Sequence, residues 1–308
     1  MIPDFAGIPV LVTGGAGFIG SHLVDALVAR GAQVRVLDDL STGRRENLPD
    51  VELIEGDIRD AGVCRAACEG VEYVFHQAAL GSVPRSVSDP ASSIAVNVTG
   101  TANVFAAARD SRRVIYASSS SVYGDGETAV KREGEEGRPL SPYAASKAMG
   151  EELAEVFGRC YGQELIGLRY FNVYGPRQSP DGPYAAVVPR FFRACSAGEA
   201  PVIHGDGEQS RDFTWVGDAV LANLMAAGAP AEACGRAYNV ARGEGTTVKE
   251  LAARVRELVG SGAPPRHEPP RAGDVRHSQA DTSAAEAGLG FRAGVGLREG
   301  LERTWQSR

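Results

Sequence analysis

Tyr143 and Lys147 form the pair in this sequence best suited to moving a proton. They stand four residues apart in a stretch, 142–161, whose Glu, Ala and Leu content predicts one continuous helix. Phenol and ammonium therefore share a helical face. A buried phenol beside an ammonium has its anionic form favoured, which draws it towards the range of a general base. The same spacing also occurs in ordinary surface pairs, so the neighbours decide. Upstream runs Ala117-Ser118-Ser119-Ser120-Ser121-Val122-Tyr123-Gly124, a strand ending in hydroxyls. A serine at the carboxyl end of a strand can bridge a substrate oxygen and the phenol; Ser119 and Ser120 are both placed for it.

A second constellation lies near the N-terminus. Val-Leu-Val-Thr-Gly14-Gly15-Ala16-Gly17-Phe18-Ile19-Gly20 sets glycines at i, i+3 and i+6 between a strand and a helix. Gly14 permits a tight turn, Gly17 lets a pyrophosphate reach the backbone, and Gly20 lets the helix pack on the strand. The helix start at Phe18 and Ile19 adds N–H groups and the positive end of its dipole. Asp38 falls at the end of the next strand, and no arginine adjoins it. A carboxylate there accepts both hydroxyls of a ribose and repels a 2′-phosphate, so the combination predicts NAD. Asp57, in Glu-Gly-Asp57-Ile58, either accepts from the adenine amine with Ile58 against the ring or caps the following helix.

These residues need a scaffold. Apolar β-type runs at 8–13, 33–38, 51–56, 73–78, 113–118 and 164–170 alternate with helical stretches at 18–30, 90–108 and 142–161. This succession predicts an α/β fold built on a doubly wound parallel sheet. After Tyr170 come a Gly/Pro loop at 175–183, a helix at 186–197 and a strand-then-helix signal over 213–227. A Pro/Arg loop follows at 260–273. We read 1–172 as an NAD-binding Rossmann domain, with elements near 213–242 returning to it. Residues 173–308 then form mainly a smaller mixed α/β substrate lobe.

Composition narrows the class. Glycine makes up 38 of 308 residues with no Gly-X-Y period, an excess that points to turns and to backbone approaching a ligand. Hydrophobic residues at 43% and charged residues at 23% match a globular chain. A net charge of −7 argues against nucleic acid and anionic membranes as partners. The five cysteines, Cys64, Cys68, Cys160, Cys195 and Cys234, are scattered and predict reduced thiols with no metal site. No apolar run reaches the roughly 20 residues of a membrane span, and no secretory leader is visible. A cytoplasmic protein is expected.

Taken together, these blocks resemble the extended short-chain dehydrogenase/reductases, and within them the UDP-hexose 4-epimerases, most of all the UDP-N-acetylglucosamine 4-epimerase branch. The resemblance rests on His76-Gln-Ala-Ala-Leu-Gly-Ser-Val-Pro-Arg-Ser86, Ser141-Pro-Tyr-Ala-Ala-Ser-Lys147, Leu168-Arg-Tyr-Phe-Asn-Val-Tyr-Gly-Pro-Arg-Gln178, Tyr184-Ala-Ala-Val-Val-Pro189, Gly205-Asp-Gly-Glu-Gln-Ser-Arg-Asp-Phe213 and Gly273-Asp-Val-Arg-His-Ser278. It implies that Tyr143 takes the proton of a sugar 4-hydroxyl while hydride passes to tightly held NAD. The 4-keto sugar then turns, and hydride returns to its other face. Ser119 aligns with the hydrogen-bonding serine, and Lys147 with the residue that orients the nicotinamide ribose. The resemblance further implies cofactor contacts from Gln77, Ala78, Ala79, Asn97, Ser118, Tyr170 and Val173. It places Ser82, Arg85, Ser120 and Asn172 at the substrate, Arg211 and Arg271 at the diphosphate, and Asp274 at the uridine ribose. Ala186, Val187, Val202 and His204 match the uracil side. Pairing of the 90–108 and 142–161 helices implies a homodimer.

Two absences bear on the reaction. Related dehydratases and decarboxylases carry an acidic residue just before Val-Tyr-Gly, where this sequence has Ser120 and Ser121; plain epimerisation is expected. Ser278 matches a wall position that is a large aromatic in galactose-restricted epimerases. A small side chain there leaves room for a C2 acetamido group, so UDP-GlcNAc/UDP-GalNAc is expected, with UDP-Glc/UDP-Gal beside it. UDP-glucuronic acid 4-epimerisation is the alternative, with Arg85 or Arg177 as the partner of a C6 carboxylate. A non-catalytic NAD-binding protein is the competing class, and Tyr143, Lys147 and Ser119 together speak against it.

Overall fold

The computed structural model describes residues 1–126, 128–181, 185–260, 263–270 and 275–308. The first half runs β1 (Pro9–Thr13), α1 (Phe18–Val28), β2 (Gln33–Asp38), β3 (Glu52–Glu55), α2 (Ala61–Cys68), β4 (Tyr73–His76), α3 (Val83–Ser88), α4 (Pro90–Ile94), α5 (Thr101–Ala107) and β5 (Arg113–Ser119). It continues through β6 (Val130–Lys131), α6 (Pro142–Tyr161) and β7 (Leu165–Tyr170). The second half adds α7 (Val187–Ser196), β8 (Val202–His204), β9 (Ser210–Asp212), α8 (Val216–Ala227) and β10 (Arg236–Val240). It ends with β11 (Gly245–Thr247), α9 (Val248–Val259), β12 (Arg266–Glu268), β13 (His277–Ala280), α10 (Ser283–Leu289) and α11 (Leu297–Gln306).

Seven strands form one parallel sheet in the order β10-β7-β5-β4-β1-β2-β3. Buried on both faces, β1, β5 and β7 read as continuous apolar runs; Val10, Leu11, Val12, Val114, Ile115, Leu165, Ile166 and Leu168 are all fully buried. One face packs against α1 and α8 through Leu23, Leu27, Ala219 and Leu224. The other packs against α2, α5 and α6 through Cys64, Ala67, Val104, Phe105 and Ala154. Strand order reverses between β1 and β4, which opens a crevice at their carboxyl ends. A separate core of Phe191, Phe192, Ile203, Phe213, Trp215 and Leu251 holds the later elements, while β10 and α8 join the large sheet and its cover.

Three readings of the sequence change. The helix expected over 90–108 is broken by a π-helical turn, Ala95–Gly100; there a Cβ on Gly100 would sit 2.6 Å from Ile58, so the backbone passes close to the β3–α2 loop. The strand expected to open at Phe213 ends at Asp212, leaving only a bridge between Tyr174 and Trp215. The short strands β6, β8, β9 and β11–β13 lack enough alternation to be seen in sequence. No described helix is long and apolar enough to cross a membrane. All five cysteines are free, and burial pushes the Cys64 and Cys68 thiols up to about 11 and about 12.

Candidate active site

At the end of β1 the chain turns through Gly14 at φ +68°. A Cβ there would lie 2.6 Å from the Ala78 amide, at the exit of β4. Gly17 donates to the Gly14 carbonyl at 3.1 Å, and Gly20 packs directly on that carbonyl with no room for a side chain. The first N–H groups of α1 have no intrahelical acceptor. They open onto a cleft of about 480 Å³ lined by Gly14, Gly17, Phe18, Ile19 and Gly20. The cleft passes Asp38, Asp57 and Ile58 at one end and Ser118, Ser119, Ser120, Tyr143 and Lys147 at the other.

Asp38 is buried, and its two oxygens accept from Ala16 N and Leu40 N, each at 2.9 Å. Burial raises its pKa, and the two N–H groups oppose the rise. The carboxylate thus shapes the glycine loop and keeps spare lone pairs towards the cleft. Asp57 is paired with Arg59, whose Nε and Nη2 reach Oδ2 at 2.8 and 2.5 Å. It is not the cap of α2: Asp60 is, accepting from Gly62 N at 2.7 Å and Val63 N at 3.2 Å. Glycine turn, open helix start and buried ribose-side carboxylate together fit a dinucleotide.

Helix α6 starts sharply because Ser141 accepts from Ala144 N at 3.1 Å and Pro142 occupies its first turn. Its inner face brings the Tyr143 phenol into a hydrogen bond with Ser119. Ser119 is itself fixed by Ser121 N, which donates to its Oγ at 3.1 Å. Burial raises the Tyr143 pKa, and the Ser119 bond works against that. The expected help from Lys147 takes another form. Its ammonium donates to the Ala117 carbonyl at 2.8 Å, and burial lowers its pKa to about 8 against the pull of Glu151.

A second cleft, of about 260 Å³, is lined by Ala186, Val187, Val202, His204 and Arg211, together with Arg190, Phe191, Gln209 and Phe213. It meets the first at Asn172, Val173 and Gln178, which line both. Asn172 holds φ +29°, a region that Asn enters more readily than most residues. Arg211 is steadied by donation to the Ser210 carbonyl at 2.8 Å, and Gln209 donates to the His204 carbonyl at 2.7 Å.

Other expected site residues take different places. Asn97 lines neither cleft: its amide accepts from Leu80 N at 2.8 Å and donates to Ser146 at 3.0 Å, bracing the loop after β4 against α6. Ser82 caps α3 by accepting from Arg85 N at 3.2 Å, and neither residue lines a cleft. Ser278 lies in β13 as the ladder partner of Arg211 and lines neither cleft. Arg177 is held away by an ion pair with Asp25 at 2.7 Å. Arg271 and Asp274 lie outside the described residues.

Several residues gain a place that their types did not announce. Gln77 and Tyr170 line the first cleft and close a hydrogen-bonded ring with buried Asn223 of α8. Ala78 and Ala79 line the cleft beside them. Gln178 donates to the Val173 carbonyl at 3.0 Å, while its buried Oε1 has no protein partner at the junction of the clefts. Glu151, two turns beyond Tyr143, accepts from Ser118 at 2.5 Å and from Arg169 at 2.9 and 2.7 Å. An i, i+4, i+8 spacing of Tyr, Lys and Glu was the available signal.

Comparison with known proteins shows the family. Residues 10–241 match the model of the NAD dependent epimerase/dehydratase family. A UDP-glucose 4-epimerase of Mycolicibacterium smegmatis is 42% identical over 304 residues, covering 96% of each chain. The crystal structure of a Thermotoga maritima UDP-glucose 4-epimerase with UDP-glucose superposes with a TM-score of 0.94 at 39% identity, covering 97% of this chain and 98% of that one. A UDP-N-acetylglucosamine 4-epimerase from Methanobrevibacter ruminantium M1, in complex with UDP-N-acetylmuramic acid, gives 0.93 at 39% identity and 98% coverage of both chains. The chain belongs to the NAD dependent epimerase/dehydratase family and, within it, stands with the UDP-hexose 4-epimerases.

Proposed function

We propose that the protein inverts C4 of a UDP-hexose through a transient 4-keto sugar, with UDP-GlcNAc and UDP-GalNAc as its preferred pair and UDP-Glc and UDP-Gal as a second. The observation that carries this reading is the junction of the two clefts. The Tyr143–Ser119 pair stands at the inner end of the first, and the arginines of the second open onto it through Asn172 and Gln178. NAD, when bound, supplies the acceptor and donor of hydride. Arg211 and Arg190 face the diphosphate with planar donor forks. Val187, Val202 and Phe213 supply apolar wall for the base.

Tyr143 takes the proton from O4 of the sugar and later returns it, with Ser119 holding both oxygens in line. Lys147 contributes a positive charge beside the cofactor ribose. The carboxylates lining the first cleft, Asp38, Asp39 and Asp57, all stand at its adenosine end. No carboxylate among the described lining residues therefore stands near Tyr143 to serve the elimination at C5 and C6, which supports simple epimerisation. Ser278 pairs with Arg211 in the β13–β9 ladder but lines neither cleft, so the preference for UDP-GlcNAc rests on the sequence match of its small side chain alone. The pairing of Arg177 with Asp25 weighs against a uronate substrate.

Purified protein incubated with UDP-GlcNAc or UDP-Glc, without added NAD, should yield the C4 epimer by NMR. A 4-keto-6-deoxy or pentose product without a 4-epimer would refute the proposal.

A further inference from the structure

The inner face of α6 does not stop at the Tyr-x-x-x-Lys pair. Three successive turns meet three consecutive residues of β5: Lys147 on the Ala117 carbonyl, Glu151 on the Ser118 hydroxyl, and Tyr143 on the Ser119 hydroxyl. Ser118 lines the cofactor cleft and is the register partner of Arg169 on β7. Both of these neighbours bind the one Glu151 carboxylate, Ser118 at 2.5 Å and Arg169 through a two-pronged contact at 2.9 and 2.7 Å. The side chains of Glu151 and Arg169 are 16% and 7% exposed, so this charge is fixed and poorly screened.

We infer that Glu151 is a positioning residue for the proposed reaction, its carboxylate, fixed by Ser118 and Arg169, supplying the counter-charge that holds the Lys147 ammonium in the cofactor cleft. This rests on the epimerase reading only for what Lys147 does there. Tyr143 and Tyr170 line the same cleft as Lys147, His76 on β4 feels its charge, and Arg169 on β7 shares the Glu151 carboxylate, with Tyr116, Tyr123 and Glu136 near that arginine. Burial keeps His76 neutral and pushes Tyr116 and Tyr123 up, so none of the three offers a counter-ion. Arg169 is balanced by Glu136 as well as Glu151. Glu151 stands one turn along α6 from Lys147 and meets the next residue of β5, Ser118 against Ala117, and its nearby negative charge favours the Lys147 ammonium.

The sequence has three lysines, Lys131, Lys147 and Lys249, so the ammonium can be watched directly. Protein labelled with ¹³C at lysine Cε gives three resonances to titrate, and Lys147→Arg identifies its own. In the wild type Lys147 is expected to titrate at about 8. In Glu151→Gln, which keeps the shape and removes the charge, the midpoint falls by about one unit and the alkaline limb of kcat/KM moves with it. If that variant does not fold, Glu151→Asp withdraws the charge by one methylene and lowers the midpoint by a smaller but resolvable amount. An unchanged Lys147 midpoint in either folded variant, with only a lower melting temperature, overturns the inference. The titration needs no substrate, so a wild type that fails to epimerise would count against the proposed reaction alone.

Discussion

The Lys147 ammonium donates to the Ala117 carbonyl at 2.8 Å, two residues before the serine that holds the Tyr143 phenol. One helical turn separates the two side chains, yet they grip one strand at different points. In the proposed reaction, proton transfer and electrostatic support therefore fall to separate contacts and can be separated by mutation.

Tyr143→Phe removes the proposed proton acceptor and leaves the ring in place. Turnover should fall by about 10²–10⁴, while NAD released on denaturation, measured by absorbance, stays at the wild-type level. Full activity would end the role assigned to the phenol.

The glycine loop predicts a graded response. At Gly14, a positive φ and a 2.6 Å approach to Ala78 make Gly14→Ala costly, about 2 kcal/mol or more in thermal unfolding, with loss of retained NAD. Gly17 has φ −77° and its nearest Cβ contact at 3.2 Å, so Gly17→Ala should unfold near the wild-type temperature and lose chiefly cofactor affinity.

In the second cleft, Arg211→Ala should weaken UDP binding, measured by calorimetry, about ten- to a hundredfold, the range of a charge-assisted hydrogen bond. Because Arg211 stands away from Tyr143, kcat at saturation should change far less than KM. Equal losses in both would place it in the chemistry instead.

His76 gives a pH test with a definite sign. Its ring lies between Thr13 at 2.7 Å and Thr101 at 3.0 Å, and burial, with the Lys147 charge, lowers its pKa to about 3. Unfolded, it titrates near 6.5, so between about 6.5 and about 3 the unfolded chain holds a proton that the folded one lacks. Stability contributed by neutral His76 is therefore lost as pH falls. The advantage of wild type over His76→Gln in urea melts should narrow by about 2 kcal/mol between about pH 7.5 and about pH 5. Asp212, raised to about 6 by burial, acts in the opposite direction as pH falls from about 6 towards 3.8, but it is common to both proteins and cancels.

Local chemistry made much of this legible from sequence. The glycine spacing, Asp38 and the Tyr143–Lys147 interval are short-range patterns, each demanded by a turn, a strand end or a helical repeat. The long buried strands were equally visible, because strands covered on both faces are apolar throughout. What sequence could not supply was which polar side chains meet across long separations. Asn97 is expected at the cofactor from sequence, while its amide bonds to Leu80 and Ser146 emerge only from the packed chain. Glu151 looks like an ordinary helix residue until β5 and β7 bring Ser118 and Arg169 to its carboxylate.

By itself, then, the sequence determined the parallel α/β framework and picked out the glycine loop, Asp38, Ser119, Tyr143 and Lys147, which the fold brings to one cleft. Those depend on spacing within single elements. Only the tertiary structure decided the partner of Lys147, the direction in which the Tyr143 phenol is shifted, and the meeting of two clefts at Asn172 and Gln178. Desolvation and hydrogen bonding between distant strands are properties of the packed chain, and no local pattern encodes them.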